Sequence, residues 1–177
     1  MKKIIAFGAS SSVSSINKKL ATYAASCVPN AQVTVLDLND YEMPIFSVDR
    51  QSNDGFPDLA YTLKELLVQA DGIIISFAEH NSSYTAAFKN IFDWISRLPG
   101  DIWYSKPMFL LATNNGERGA KTVLQQAHNR IARKNPFDIP HFSLPYFSKT
   151  FDESQGITDN ALKTAFQNAL AIFVKQS

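Results

Sequence analysis

Residues 4–20, which read IIAFGASSSVSSINKKL, decide the fold. The apolar run at the start of this stretch ends at Gly8 and is typical of a strand buried on both faces. The polar turn 9–15 follows, and beyond it apolar residues recur at helical spacing. A second apolar run at 33–36 completes a β-α-β unit, because parallel strands need a crossover helix between them.

The rest of the chain continues the alternation of strand and helix. Residues 73–77 (IIISF) form the most continuous apolar run, and we predict that they are the central strand. An apolar stripe predicts a helix over 84–98, and residues 37–56 are predicted to be a long loop that covers a site. The other predicted elements are helices around 59–67, 123–131 and 158–175, a strand at 108–112 and an edge strand within 136–144. Five strands and five helices predict an α/β three-layer sandwich with a parallel sheet in the order 2-1-3-4-5.

Length and composition indicate one domain over residues 1–177. The chain is 45% hydrophobic, which is enough for a full core. Its 17 basic and 16 acidic residues leave a net charge of +1, which favours neither nucleic acid nor a membrane surface as a partner. Cys27 is the single cysteine, and we recognise neither a secretion signal nor a spanning stretch. We expect a cytoplasmic protein with a small-molecule partner.

Three polar strand-to-helix turns locate a site. Turns 9–15, 78–84 and 113–119 follow the first, third and fourth predicted strands. In a sheet of this order, a ligand lies beyond the carboxyl ends of the strands, near the switch point between the first and third. We therefore expect a ligand where these three turns meet.

The first turn has the composition of an anion site. Its serines stand at positions 10, 11, 12, 14 and 15. Hydroxyls, backbone N–H groups and the dipole of the following helix converge there. The glycine patterns of dinucleotide folds and of P-loop nucleotidases are absent, which favours a monophosphate. The alternative is that the serines only cap the helix and solvate the turn.

The residues of these turns, and of the helix that follows turn 78–84, resemble the NADPH-dependent FMN reductase family. Residues 79–83 (EHNSS) resemble the last five positions of the family stretch P-E-Y-N-x-S. Residues 89–97 (KNIFDWISR) resemble the stretch K-N-x-x-D-W-x-S-R. The first turn resembles G-S-x-R-x-x-S-x-N-x-x-L-A at Ser10, Ser15 and Asn17. The family has a flavodoxin-like fold and includes quinone, chromate and azo-dye reductases.

The chain departs from the family pattern at several positions. Ser12 stands where the family has an arginine on the phosphate loop. Ala9, Ala78, His80 and Ser82 replace the usual Gly, Pro, Tyr and Gly. An FMN phosphate without its arginine loses a charge-assisted hydrogen bond, so these departures bear first on phosphate affinity.

The resemblance implies an FMN-binding oxidoreductase that takes a hydride from NADPH or NADH and passes electrons to a quinone, a flavin or a similar acceptor. The implied cofactor-binding residues are Ser10, Ser12, Ser15, Ile16 and Asn17 at the phosphate, Glu79, His80, Asn81 and Ser82 at the flavin ring, and Asn115, Gly116 and Arg118 at its pyrimidine edge. No catalytic side chain and no metal ligand is implied. A non-enzymatic electron carrier and a scaffold that has lost flavin binding are the alternatives.

The resemblance also implies a homodimer or homotetramer, with Phe88, Trp94 and residues 103–104 as candidate contacts. From the residues themselves, Trp94 is predicted to pack in the core or at that contact. His128 and His141 have no companion at metal-ligand spacing, and we predict that they are surface or packing residues. Further predictions are that Asp93 packs or caps, that Cys27 is inert, and that Arg97, Lys106 and Arg118 are candidates for contact with a 2′-phosphate.

Overall fold

A five-stranded parallel sheet forms the centre of the molecule. The computed structural model describes residues 1–101, 103 and 105–177. The strands lie in the order β2-β1-β3-β4-β5, and each neighbouring pair is parallel. Their bounds are Lys2–Ala9 (β1), Ala31–Leu36 (β2), Gly72–Phe77 (β3), Met108–Thr113 (β4) and His141–Leu144 (β5). The predicted strand order and fold class are confirmed.

Helices cover both faces of this sheet. Their bounds are Ile16–Ser26 (α1), Val48–Asp54 (α2), Asp58–Gln69 (α3), Ala86–Ile95 (α4), Lys121–Ala132 (α5), Phe147–Thr150 (α6) and Asn160–Gln176 (α7). Alternate strand residues point into two separate cores: Ile73 and Ile75 pack with α3, α4 and α5, whereas Ile74 packs with α1 and α7. The result is the predicted three-layer sandwich. Over the ranges described, no helix has the length and apolar character needed to cross a bilayer.

The burial of the strands explains which of them the sequence revealed. Every residue of β3 and β4 is buried, so both appear as continuous apolar runs. The strand β5 lies at one edge of the sheet and directly follows Pro140. This edge position is the one that the prolines of the region predicted.

Residues 37–56 are only partly a loop. A 3-10 turn spans Leu38–Tyr41, and the helix α2 begins after Ser47, whose hydroxyl accepts a hydrogen bond from the Arg50 N–H at 3.1 Å. None of the residues of α2 is buried. The helix therefore lacks the apolar period by which a sequence reveals a helix.

A second region also holds elements that we did not predict. After β5 the chain forms the short helix α6 and then an antiparallel ribbon of two strands, Phe151–Asp152 (β6) and Gly156–Ile157 (β7). The side chain of Tyr23 on α1 packs so closely on Gly156 that a Cβ built there would lie 2.1 Å from its ring. Gly156 also has a φ of +75°. The ribbon therefore depends on glycine at this position.

The segment after the 3-10 turn is fixed to α4 by two side chains. Asn90 donates to the carbonyl of Met43 at 2.9 Å, and its carbonyl oxygen accepts from the N–H of Phe46 at 2.8 Å. The indole Nε1 of Trp94 donates to the carbonyl of Pro44 at 2.7 Å. Trp94 is wholly buried, so of its two predicted positions, the core and an oligomer contact, it occupies the core.

Candidate functional site

Three turns beyond the carboxyl ends of β1, β3 and β4 line one cleft of about 240 Å³. Its lining residues are Ser10, Ser12, Ser14, Ser15, Ile16, Asn17, Ala78, Glu79, His80, Thr113 and Asn114. The cleft therefore lies at the switch point of the sheet, where the polar turns predicted it. Of the predicted site residues, Asn81, Ser82, Asn115, Gly116 and Arg118 lie outside this lining.

The first turn and the start of α1 present hydrogen-bond donors to the cleft. Ser15 caps α1, with its hydroxyl accepting from the Lys18 N–H at 3.1 Å. The N–H groups of Ile16 and Asn17 lie in the first helical turn, where a helix offers no internal acceptor. The helix dipole adds partial positive charge at the same place. This donor set suits an anion.

Gly8 allows α1 to begin directly against β1. A Cβ built at Gly8 would lie 2.4 Å from the backbone nitrogen of Lys18 and 2.9 Å from the carbonyl carbon of Asn17. Both atoms belong to the backbone and cannot rotate away. Only glycine therefore permits this close approach of helix and strand.

The side chain of Asn17 faces the interior. Its carbonyl oxygen accepts from the Ser76 hydroxyl at 2.7 Å and from the Thr113 N–H at 3.1 Å. Its amide nitrogen donates to the Thr113 carbonyl at 3.1 Å. Asn17 is only 2% exposed, and its side chain joins strands, so its backbone N–H is the group left for the predicted phosphate contact.

The cations nearest the first turn are paired with carboxylates. Lys18 donates to Asp37 at 2.5 Å, and this hydrogen bond lowers the pKa of the Asp37 carboxyl. Lys19 forms an ion pair with Glu153. Within the described part of the chain, the cleft lining contains no lysine or arginine. The anion donors are therefore neutral hydroxyls and N–H groups.

The turn after β3 is a tight two-residue turn. His80 and Ser83 exchange two backbone hydrogen bonds of 3.0 Å, and Asn81 and Ser82 between them have φ values of +50° and +62°. Positive φ at both central positions is the pattern of a type I′ turn, for which Asn-Gly is the favoured pair. Ser82 therefore occupies a position that suits glycine, the residue that the family pattern has there.

Glu79 has a role that the sequence did not reveal. Its carboxylate accepts from the backbone N–H of Val123 at 2.9 Å, in the first turn of α5. The residue before that helix, Ala120, has a left-handed backbone and provides no side-chain cap. Glu79 therefore caps α5 from a neighbouring loop, and one of its oxygens is engaged there instead of facing a ligand.

The turn after β4 is held mainly by the segment that follows β5. The side-chain Oδ1 of Asn115 accepts from the Ser148 N–H at 3.0 Å, and the backbone carbonyl oxygen of Gly116 accepts from the Tyr146 N–H at 3.1 Å. Arg118 donates to the Thr122 hydroxyl at 2.9 Å, on the first turn of α5. Our prediction missed Thr113 and Asn114, which line the cleft because they directly end the strand.

The predicted oligomer contacts are core residues. Phe88, Trp94 and Trp103 are at most 3% exposed, so they offer no surface to a second copy. Tyr104 lies outside the described residues. The prediction failed because an apolar stripe on a helix does not reveal whether the core or a partner covers it.

Several charged residues also differ from their predicted roles. Asp93 neither packs nor caps but pairs with Lys89 at 2.7 Å on the surface of α4. Lys106 donates to the carbonyl of Ala70, which precedes the amino end of β3. Lys106 therefore lies at the amino ends of the strands, and the cleft lies at their carboxyl ends. The guanidinium of Arg97 lies over the ring of Phe46. The described residues contain no group of three or more side chains able to hold a metal ion.

The chain resembles flavin-dependent oxidoreductases in sequence and in fold. Residues 2–149 match the model of the family described as NADPH-dependent FMN reductase. An NADPH:quinone oxidoreductase from Arabidopsis thaliana is 26% identical over 81% of this chain and 73% of its own length. A 2-hydroxy-1,4-benzoquinone reductase from a Burkholderia species is 35% identical over 66% of this chain and 61% of its own length.

A solved structure has the same architecture. The flavoenzyme NAD(P)H:(acceptor) oxidoreductase from Paracoccus denitrificans superposes with a TM-score of 0.77, covering 99% of this chain and 97% of that one. The two are 21% identical, so this likeness concerns the fold alone.

The strained turn after β3 yields a stability prediction. We expect Ser82→Gly to raise the free energy of unfolding by about 0.5–1 kcal/mol, because glycine adopts positive φ without the Cβ clash. In thermal melts this corresponds to an increase in Tm of about 1–4 °C for a chain of this size. The matched control is Ser83→Gly, because Ser83 is the neighbouring serine and its φ is not positive. This variant removes the hydrogen bond from the Ser83 hydroxyl to Gln126, and we expect it to lower the Tm. A lower Tm for Ser82→Gly would contradict this account of the turn.

Proposed function

Because the chain belongs to the NADPH-dependent FMN reductase family, we propose that it is an NAD(P)H-dependent oxidoreductase that binds FMN in the cleft. Its acceptor is a small molecule of the quinone or flavin class. The observation that carries the proposal is the meeting of a neutral anion cradle, the turn 78–83 and the end of β4 in one cleft at the switch point. A quinone acceptor is further supported by the names of the Arabidopsis and Burkholderia relatives.

The residues of the cleft fit FMN in two parts. The hydroxyls of Ser10, Ser12 and Ser15 and the first N–H groups of α1 would hold the phosphate. Backbone groups of residues 78–80 and of Thr113 and Asn114 would border the flavin ring. His80 is exposed at the rim of the cleft, where its ring is available to a planar ligand.

The protein contributes position rather than acid-base chemistry. FMN held in the cleft would supply the redox chemistry between the nicotinamide and the acceptor. The rigid turn at 80–83 and the anchored start of α1 fix where the two ends of the cofactor lie. N–H donors beside the pyrimidine end of the ring would stabilise the negative charge of its reduced form.

Steady-state kinetics test the proposed activity. Protein loaded with FMN should oxidise NADPH or NADH when a benzoquinone or free FMN is supplied, followed by the loss of nicotinamide absorbance. Protein without FMN is the control and should be inactive with the quinone. Tight FMN binding without turnover of any acceptor would indicate an electron carrier, and failure to bind FMN at all would indicate a scaffold.

A gain of affinity tests the phosphate cradle. We expect Ser12→Arg to tighten FMN binding about tenfold to a hundredfold, because a charge-assisted hydrogen bond contributes about 1.5–3 kcal/mol. The control is Ser26→Arg, since Ser26 is exposed at the far end of α1, about 16 Å along the helix. Fluorescence titration with FMN measures both. Equal tightening in the two variants would show a general charge effect instead of a phosphate contact.

We also propose that the chain forms a homo-oligomer in the cytoplasm, as the family resemblance and the single cysteine suggest. The surface most suited to a second copy surrounds α2, which buries no residue of its own. Ile45 and Val48 are 78% and 65% exposed there, and a groove of about 360 Å³ lies between residues 38–45 and α4. Exposed apolar patches of this kind mark interaction sites.

Light scattering after size-exclusion chromatography tests the oligomer. We expect the parent chain to be dimeric or larger and the double variant Ile45→Asp, Val48→Asp to shift toward the monomer, because carboxylates at a buried contact are costly. The variant Val68→Asp on α3, at a position 47% exposed, is the control and should keep the parent's mass. A monomeric parent, or an unchanged mass of the double variant, would contradict the proposal.

A further inference from the structure

Two histidines that lie far apart in the sequence are adjacent in the fold. His128 on α5 and His141 on β5 have ring centroids 4.5 Å apart, with ring planes inclined at 51°. Their spacing in the sequence did not predict that they are neighbours, because their contact depends on how α5 packs beside the edge strand β5. His141 is exposed and His128 is partly buried, so the pair is accessible from solvent.

The two ring nitrogens of His128 have different surroundings. The backbone carbonyl of Ile139 lies beside one ring nitrogen of His128. The other nitrogen then carries a lone pair in the neutral imidazole.

We propose that His128 and His141 form a two-histidine chelate for a divalent late transition-metal ion, of the class of Ni²⁺ and Cu²⁺. In most histidine ligands, one ring nitrogen faces a backbone carbonyl or carboxylate and the other binds the metal. Neutral imidazole nitrogens suit these ions. Across the described ranges, no third His, Cys, Asp or Glu joins the pair, so water molecules complete the coordination. This site is separate from the cleft and does not depend on the flavin.

The separation of the two rings favours a right-angled arrangement. With metal-to-nitrogen distances of about 2.1 Å, the metal lies about 3.2 Å from each ring centroid. With one nitrogen of each ring facing a shared ion, a centroid separation of 4.5 Å would correspond to a nitrogen-metal-nitrogen angle of about 90°. That angle belongs to octahedral and square-planar ions, whereas tetrahedral Zn²⁺ needs a wider one.

Calorimetric titration with Ni²⁺ tests the chelate. The chain of 177 residues is used without a purification tag, and Cys27→Ser is present in every protein because an exposed thiol can itself bind a metal ion. We expect saturable one-to-one binding that weakens at least about tenfold in His128→Gln and in His141→Gln, since each variant leaves a single imidazole. The control His80→Gln should bind Ni²⁺ as the parent does.

The change in Tm on addition of Ni²⁺ shows whether a variant has lost metal binding or has lost its fold. Saturating Ni²⁺ should raise the Tm of the parent by about 5 °C, because the ion binds only when α5 and β5 are packed together. The His141→Gln protein, whose replaced side chain is exposed on an edge strand, should fold and show no such increase. Absence of saturable binding in the parent, or binding that survives loss of either histidine, would overturn the proposal.

Discussion

The buried side chain of Asn17 connects the parts of the chain that form the cleft. Its three hydrogen bonds tie the start of α1 to Ser76 in β3 and to the backbone of Thr113 in β4. The hydroxyl of Thr113 donates in turn to the carbonyl of Leu144 in β5 at 2.7 Å. Each buried polar group left without its partner would cost about 1–3 kcal/mol. The Asn17 side chain therefore fixes the relative positions of α1, β3 and β4 at the point where the turns meet, and Thr113 extends the network to β5.

The same principle extends to the turns themselves. Thr85 caps α4 and donates to the carbonyl of Ala9 at 3.0 Å, which joins the first turn to the helix after the third strand. Glu79 caps α5 from the turn after β3. Each turn of the cleft is thus bound to an element other than the two it connects. A cofactor with a phosphate at one end and a ring at the other needs this fixed spacing.

The residues of α4 that carry the family resemblance act as scaffold. In the stretch 89–97, Asn90 and Trp94 hold the segment that follows the 3-10 turn, and Lys89 pairs with Asp93. None of these four residues lines the cleft. What the cleft offers a ligand is mostly backbone N–H groups and serine hydroxyls, which a sequence pattern specifies only through turn length and helix position.

The sequence predicted the architecture because burial of the strands and the polar turns between them are one-dimensional patterns. It could not predict the direction of the Asn17 side chain, since an asparagine at a helix start can face a ligand or the interior equally well. The helix α2 escaped prediction because it buries nothing, and the His128–His141 pair because it depends on the packing of two elements. The misassignment of Phe88 and Trp94 to an interface has the same origin, since an apolar face does not reveal its partner.

The central claim is that the serine turn and the start of α1 hold the phosphate of a flavin mononucleotide. Comparison of the affinities of FMN and riboflavin for the same protein tests it most directly, because the two ligands share the ring and the ribityl chain and differ only in the phosphate. If the cradle binds the phosphate, FMN should bind at least about tenfold more tightly than riboflavin. Equal affinities would show that the phosphate lies free in solvent and would contradict the account.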